Sequence, residues 1–236
     1  MKTTNKLKLL ELFAGSRSIG KVAENLGYEV ISVDWKNYEK IDLVIDIEEL
    51  KLEDIPFIPD VIWASPDCRT YSVASCGTHR TQPNYLPKTE YAEKCDKVNK
   101  HFIGLIDELL IINPKMIYFI ENPRGMLRKM PFIQHLNRET IWYCQYGDLR
   151  AKPTDIWTNC TKWNPKPVCK NGNPNCHHQK APRRSKTGTQ GLKNSYERSI
   201  IPEQLCYEVL RSAIKQLEGE LCFITDFQDV QKKELT

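Results

Sequence analysis

Leu7-Lys-Leu-Leu-Glu-Leu-Phe-Ala-Gly-Ser-Arg-Ser-Ile-Gly20 is the stretch that decides how this chain folds. Residues 7–13 read as a buried strand, and Ala14, Gly15 and Ser16 form a turn of small residues. Residues 18–26 carry helical spacing that Gly27 stops, and 29–33 make a second strand closing at Asp34. The alternation continues downstream. Residues 43–47, 61–64 and 116–120 read as strands, and 140–143 and 155–158 as a strand pair. Residues 90–112 place Val98, Phe102, Leu105, Ile106, Leu109 and Leu110 at helical spacing before Asn113-Pro114 ends the run. Residues 202–217 return to that spacing through Leu205, Val209, Ala213, Ile214 and Leu217. This β-turn-α order predicts an α/β fold: a Rossmann-like, doubly wound, mostly parallel sheet covered on both faces. Ligands of such sheets sit at the carboxyl ends of the strands, where Gly15, Asp34, Asp46, Cys68 and Glu121 fall.

Composition fits that frame. With 236 residues, 40% hydrophobic and 27% charged, the chain can bury the core of one main domain, which excludes wholesale disorder. No run of about 18 apolar residues occurs, so an ordinary transmembrane helix is excluded. The start, Met1-Lys-Thr-Thr-Asn-Lys, lacks a signal-peptide pattern. Nine scattered cysteines do not read as a secreted disulfide framework; the expectation is a cytoplasmic protein whose thiols do chemistry or bind metal. The net charge of +4 hides an asymmetry. Residues 160–198 hold nine Lys/Arg against one acid, a local +8, which leaves the remainder at −4. Positive charge gathered in one segment points to a polyanionic partner, against the alternative of a solvated loop. The texture shifts there too, becoming rich in Asn, Pro, Gly, Lys and Cys. The expected organisation is a catalytic domain over 1–158, a small irregular basic insert over 159–198, and a C-terminal helix and tail over 199–236.

Three stretches carry chemistry. The Gly15 turn lets a ligand approach the backbone and the N–H groups of the following helix. Asp34 at the next strand end suits a ribose diol, and Trp35 beside it can stack on an adenine; a turn or helix cap is the rival reading for Asp34. In Ala64-Ser-Pro-Asp-Cys-Arg-Thr-Tyr-Ser72, Cys68 follows a strand and a proline turn beside Arg69, the position of an exposed, reactive thiol rather than a core cysteine. In Phe119-Ile-Glu-Asn-Pro-Arg-Gly125, Glu121 ends an apolar strand, where it can donate a proton or cap the next segment.

Taken in order, Phe-Ala-Gly, Asp-Trp, Asp-Ile, Pro-Asp-Cys-Arg-Thr-Tyr-Ser and Glu-Asn-Pro resemble the S-adenosylmethionine-dependent DNA cytosine-5 methyltransferases, most of all their small phage-borne members. The likeness runs from about Leu9 to Thr158. It implies a class I methyltransferase sheet, with Phe13, Ala14, Gly15, Asp34, Trp35, Asp46, Ile47 and Pro66 around S-adenosyl-L-methionine. It also implies Cys68 as nucleophile, Glu121 as the acid contacting the base, and Arg150 and Lys152 as the substrate-gripping segment. Asp67, Arg69 and Pro123 depart from the family's residues. The implied reaction is methylation of cytosine C5 in double-stranded DNA through a covalent Cys68 adduct on a flipped base. Residues 69–89, with Arg69, His79, Arg80 and Lys88, are expected to close over that base. The (Asp/Asn/Ser)-Pro-Pro-aromatic turn of amine methyltransferases is absent. An RNA (tRNA) cytosine and a catalytically inactive DNA-binding relative are the alternatives.

The basic insert matches the family's target-recognition region. Arg69, Arg80, Arg183, Arg184, Lys186 and Lys193 are expected on phosphates, and Gln190 on base edges, at a short site of about two to four base pairs. Cys160, Cys169, Cys176 and His177 are candidate ligands for a structural Zn2+, against free thiols and exposed histidines. A monomer is expected, with no membrane partner.

Overall fold

The structure is a computed structural model and describes residues 6–181 and 195–233. Its elements in chain order are β1 (Lys8–Leu12), α1 (Ser18–Asn25), β2 (Glu29–Asp34), β3 (Leu43–Val44), β4 (Val61–Ala64), α2 (Cys76–His79) and α3 (Glu90–Ile112). There follow β5 (Ile117–Pro123), β6 (Arg138–Trp142), β7 (Pro153–Thr158), α4 (Ser195–Ser199) and α5 (Glu203–Lys233). The strands form one seven-stranded sheet in the order β3-β2-β1-β4-β5-β7-β6. Neighbours from β3 to β5 pair in parallel, and β7 runs antiparallel to both β5 and β6. This is the α/β architecture expected from the sequence, with one reversed strand that its pattern does not announce.

Alternation along the strands explains the two-sided core. Leu9, Val61, Trp63, Ile117, Phe119 and Ile156 face a layer that includes Ile19, Val22 and Ala23 of α1 and Leu205, Val209 and Ala213 of α5. Leu10, Leu12, Ile62, Ala64, Ile120 and Trp157 face the opposite layer, with Phe102, Leu105, Ile106 and Leu109 of α3. Both strand faces are buried, hence the near-continuous apolar runs in the sequence. The Thr89 hydroxyl caps α3 by accepting from the Ala92 N–H at 3.2 Å.

Three differences from the sequence reading have physical causes. Only Leu43 and Val44 of the 43–47 segment pair as a strand, because the Asp46 carboxylate accepts the Glu48 N–H and turns the chain. β5 continues through Glu121 to Pro123 because β7 pairs with it there, Glu121 opposite Ile156. α5 extends well past residue 217. The irregular stretch after β7 starts inside the core, where Cys160 and Trp163 are buried. No helix among the described residues is long and apolar enough to cross a membrane.

Candidate active site

The loop after β4 carries Cys68, and its shape is fixed from three sides. The Cys68 carbonyl accepts the Tyr71 and Ser72 N–H groups at 3.1 and 2.9 Å. From β5, the Asn122 amide donates to the Pro66 carbonyl at 2.8 Å. Gly125 lies so close that an added Cβ would sit 2.5 Å from the Tyr71 carbonyl oxygen, so only glycine permits this approach. Below the loop, Arg80 is fully buried and donates to the Thr70 carbonyl and hydroxyl, the Tyr85 carbonyl and both Asp96 oxygens.

Cys68 itself is half-buried. Desolvation pushes its thiol up to about 11; the Lys152 ammonium pulls the other way, and the Asp67 and Glu121 carboxylates add to the rise. Asp67 is held below the usual carboxylate range. Its own burial opposes this, but hydrogen bonds from Arg69 and the Tyr91 hydroxyl prevail. Glu121 is buried; its Oε1 accepts the Tyr143 hydroxyl at 2.8 Å and lies 3.6 Å from Lys152 Nζ. That ammonium also lies 4.4 Å from the Tyr143 ring centre. A thiol, a carboxyl group and an ammonium thus meet at the ends of β4, β5 and the start of β7. One carboxylate oxygen is committed to Tyr143, so the other is left to meet a ligand.

On the other side of the Gly15 turn, β1 and β2 shape a nucleoside-sized edge. Phe13 and Gly15 both adopt left-handed backbone, φ 56° and 48°, which tightens the turn. Asp34 is buried, and its two oxygens accept the Gly15 and Lys36 N–H groups at 3.0 and 2.9 Å. Each oxygen keeps a second lone pair, enough to accept a hydroxyl from each end of a ribose diol. The Trp35 indole is 61% exposed, with Lys36 Nζ 4.6 Å from its ring. Asp46 pairs with Lys94 at 2.6 Å, Ile47 is buried, Ala14 is buried beside the turn, and Pro66 opens the Cys68 loop. These acceptors and the exposed ring fit a cofactor with a ribose and a flat base. A cleft of about 150 Å³ opens beside Gly15 and Ser16, reaching Tyr38 and Tyr196. A larger one, about 450 Å³, lies between residues 50–53 and α3 and holds none of these groups.

A probable DNA (cytosine-5)-methyltransferase of Frog virus 3 (isolate Goorha) is 26% identical to this chain over 170 residues, covering 68% of the chain and 74% of that protein. The chain is thus similar in sequence to a probable cytosine-5 methyltransferase over about two thirds of its length. No protein-family model matches it. Among solved structures, the Entamoeba histolytica methyltransferase EhMeth is similar with a TM-score of 0.48 and 14% identity, over 70% of this chain and 57% of that one. A Spodoptera frugiperda DNMT2 mutant is similar with a TM-score of 0.42 and 17% identity, over 70% and 54%.

Not every expected residue is free for the role the sequence suggests. All five Arg80 donors are used within the protein and the side chain is buried, so it staples the loop and does not reach a phosphate. Arg150 likewise spends its donors on Asp148 and on the Glu197, Arg198 and Ile200 carbonyls, so it anchors α4 rather than gripping a base. Lys152 lies beside Glu121, 3.6 Å from its Oε1, and its ammonium also donates to the Arg198 carbonyl at 3.4 Å. Arg69 is exposed, bound to Asp67 and packed on the Tyr91 ring. The expected metal set is corrected too: Cys160 lies in the core under α5, and His177 is exposed with its Nε2 on the Asp148 carbonyl. Cys169 and Cys176 meet Cys144 and His178 instead. Arg183, Arg184, Lys186, Gln190 and Lys193 lie outside the described residues.

The sequence reading missed the roles of Tyr143, Asn122 and a buried cluster below the Gly15 turn. There, Glu11 accepts the Gly20 N–H and the Ser32 hydroxyl, and Arg17 Nε donates to the same hydroxyl. Burial raises Glu11 from 4.5 to about 7, despite those hydrogen bonds and the nearby Arg17. Asn122 was legible within Glu-Asn-Pro; nothing in the local pattern marks Tyr143.

Proposed function

We propose that this chain methylates C5 of cytosine in double-stranded DNA, at a short recognition site, through a covalent adduct with Cys68. The observation that carries the reading is the meeting of Cys68, Glu121 and Lys152 at the carboxyl edge of the sheet. S-adenosylmethionine, held by Asp34, Trp35 and the Gly15 turn, supplies a methyl group on a positively charged sulfur.

C5 of cytosine is a poor nucleophile. Addition of the Cys68 thiolate to C6 places an electron pair on C5 and makes it one. Glu121 meets N3 and neutralises the charge that develops on the ring, with Tyr143 holding its other oxygen. Lys152 stabilises both the Cys68 thiolate and the Glu121 carboxylate. After transfer, loss of the C5 proton and expulsion of the Cys68 thiolate restore the aromatic ring. The target atom is enclosed in a duplex, so the base is flipped into this pocket.

The test is transfer of labelled methyl from S-adenosylmethionine to duplex DNA and, in parallel, to tRNA, with Cys68→Ala as control. Label on cytosine C5 of DNA that disappears with the variant supports the reading. Label on tRNA alone moves the substrate to RNA. No transfer to either, or undiminished transfer by Cys68→Ala, contradicts the mechanism.

A further inference from the structure

We propose that Cys144, Cys169, Cys176 and His178 form a structural Zn2+ site that staples the insert to the end of β6, one residue beyond Tyr143, the partner of Glu121. Their ligand atoms all lie within 4.8 Å of one another, and Cys169 Sγ is 3.9 Å from His178 Nδ1. Around a tetrahedral Zn2+, with Zn–S near 2.3 Å and Zn–N near 2.0–2.1 Å, neighbouring ligands stand about 3.5–3.8 Å apart. Small side-chain shifts therefore complete the shell. Cys144, Cys169 and His178 are buried, Cys176 is partly so, and no disulfide joins the three thiols.

The surroundings are those of ligating sulfurs. The Gln145 amide nitrogen lies 3.9 Å from both Cys144 and Cys176 Sγ, and that of Asn173 lies 3.5 Å from Cys169 Sγ. Such N–H donors stabilise the thiolates that a metal requires. Three soft thiolates and one imidazole select zinc over the oxygen-seeking cations. Binding exchanges three thiol protons for the ion and moves the imidazole proton to Nε2, so that nitrogen gives up the Gly172 N–H it now accepts at 3.0 Å.

The segment also needs such a link. Its local core is small, consisting of Trp142, Cys144, Ala151 and Cys169 with Cys176 against them, and residues 159–181 contain no regular helix or strand. The placement has a consequence for the reactive groups. Cys144 directly follows Tyr143, the partner of Glu121, and Gln179, next to His178, bridges to Arg150. Metal loading thus couples the position of the insert to the pocket. The sequence places Arg183, Arg184, Lys186 and Lys193 directly beyond the last ligand.

The experiment measures metal in the full chain, expressed with zinc and purified without chelator; it reads out whether or not methyl transfer occurs. About one Zn per chain is expected, falling below about a tenth in Cys144→Ser, Cys169→Ser, Cys176→Ser and His178→Ala. Cys160→Ser and His177→Ala keep it. Ligand variants can misfold, so the wild-type chain, stripped of metal, is also titrated with Co2+. Tetrahedral d–d bands and thiolate-to-cobalt charge transfer support the site. A metal-free preparation with no tetrahedral Co2+ spectrum overturns the proposal, as does metal loss in Cys160→Ser with retention in Cys144→Ser.

Discussion

Cys68 combines its proposed reactive role with an unhelpful resting state. Burial holds its thiol near 11, and Lys152 is the group that opposes this. Thiolate is thus scarce at neutral pH, and alkylation by iodoacetamide should quicken roughly tenfold per pH unit between 8 and 10. Lys152→Gln removes the opposing cation and should slow the reaction further at every pH. A plateau near pH 8.5, or unchanged rates in the variant, would show that this environment is wrongly read. Glu11 gives a second pH signature. Its folded value, about 7, lies above the ordinary 4.5. Below 4.5 both states are protonated and nothing is lost; between 4.5 and 7 the unfolded chain sheds a proton that the fold retains. Stability from this group therefore falls across that window, by about 3 kcal/mol, and levels off above it. Urea midpoints at pH 5 and 8 should differ more for the wild type than for Glu11→Gln, and equal differences would sink the assignment.

At the scale of elements, the loop between β4 and α3 is the piece most easily misjudged. Arg80 reads in the sequence as one of several cations in a polar loop. In the fold its planar fork of five donors finds Thr70, Tyr85 and Asp96, and the charge disappears from the surface. Arg80→Met should cost about 3–5 kcal/mol by leaving the Asp96 carboxylate with the Tyr71 hydroxyl but without its cation. It should leave the salt dependence of DNA binding unchanged, whereas loss of a phosphate contact would lower that slope by about one. Thermal melts and salt-dependent binding isotherms check both. The same contrast explains what was legible beforehand. β1, α1, β2, β4 and α3 announce themselves through local apolar period and through stops such as Gly27 and Asn113-Pro114, and Cys68 and Glu121, the proposed nucleophile and acid, sit at strand ends that motifs mark. The reversed β7, the Tyr143 bond to Glu121 and the choice of His178 over His177 depend on residues distant in sequence or on side chains one position apart, which no local pattern separates.

For the whole molecule, the sequence divides into a body of charge −4 and a segment of +8. If that segment meets the phosphates of a duplex, replacing Arg183, Arg184, Lys186 and Lys193 together by Gln should lower the slope of log K against log salt by about three to four. A slope unchanged by the quadruple replacement would assign the charge to solvent. The covalent step is the claim on which the proposed methyl transfer rests, and trapping tests it most directly. Duplex DNA carrying 5-fluorocytosine is incubated with the chain and S-adenosylmethionine, and the denatured products are mapped by peptide mass. The account predicts one denaturant-resistant protein–DNA adduct, attached at Cys68 and absent in Cys68→Ala; methylation of ordinary cytosine with no adduct on the fluorinated base, or an adduct at another residue, would contradict it.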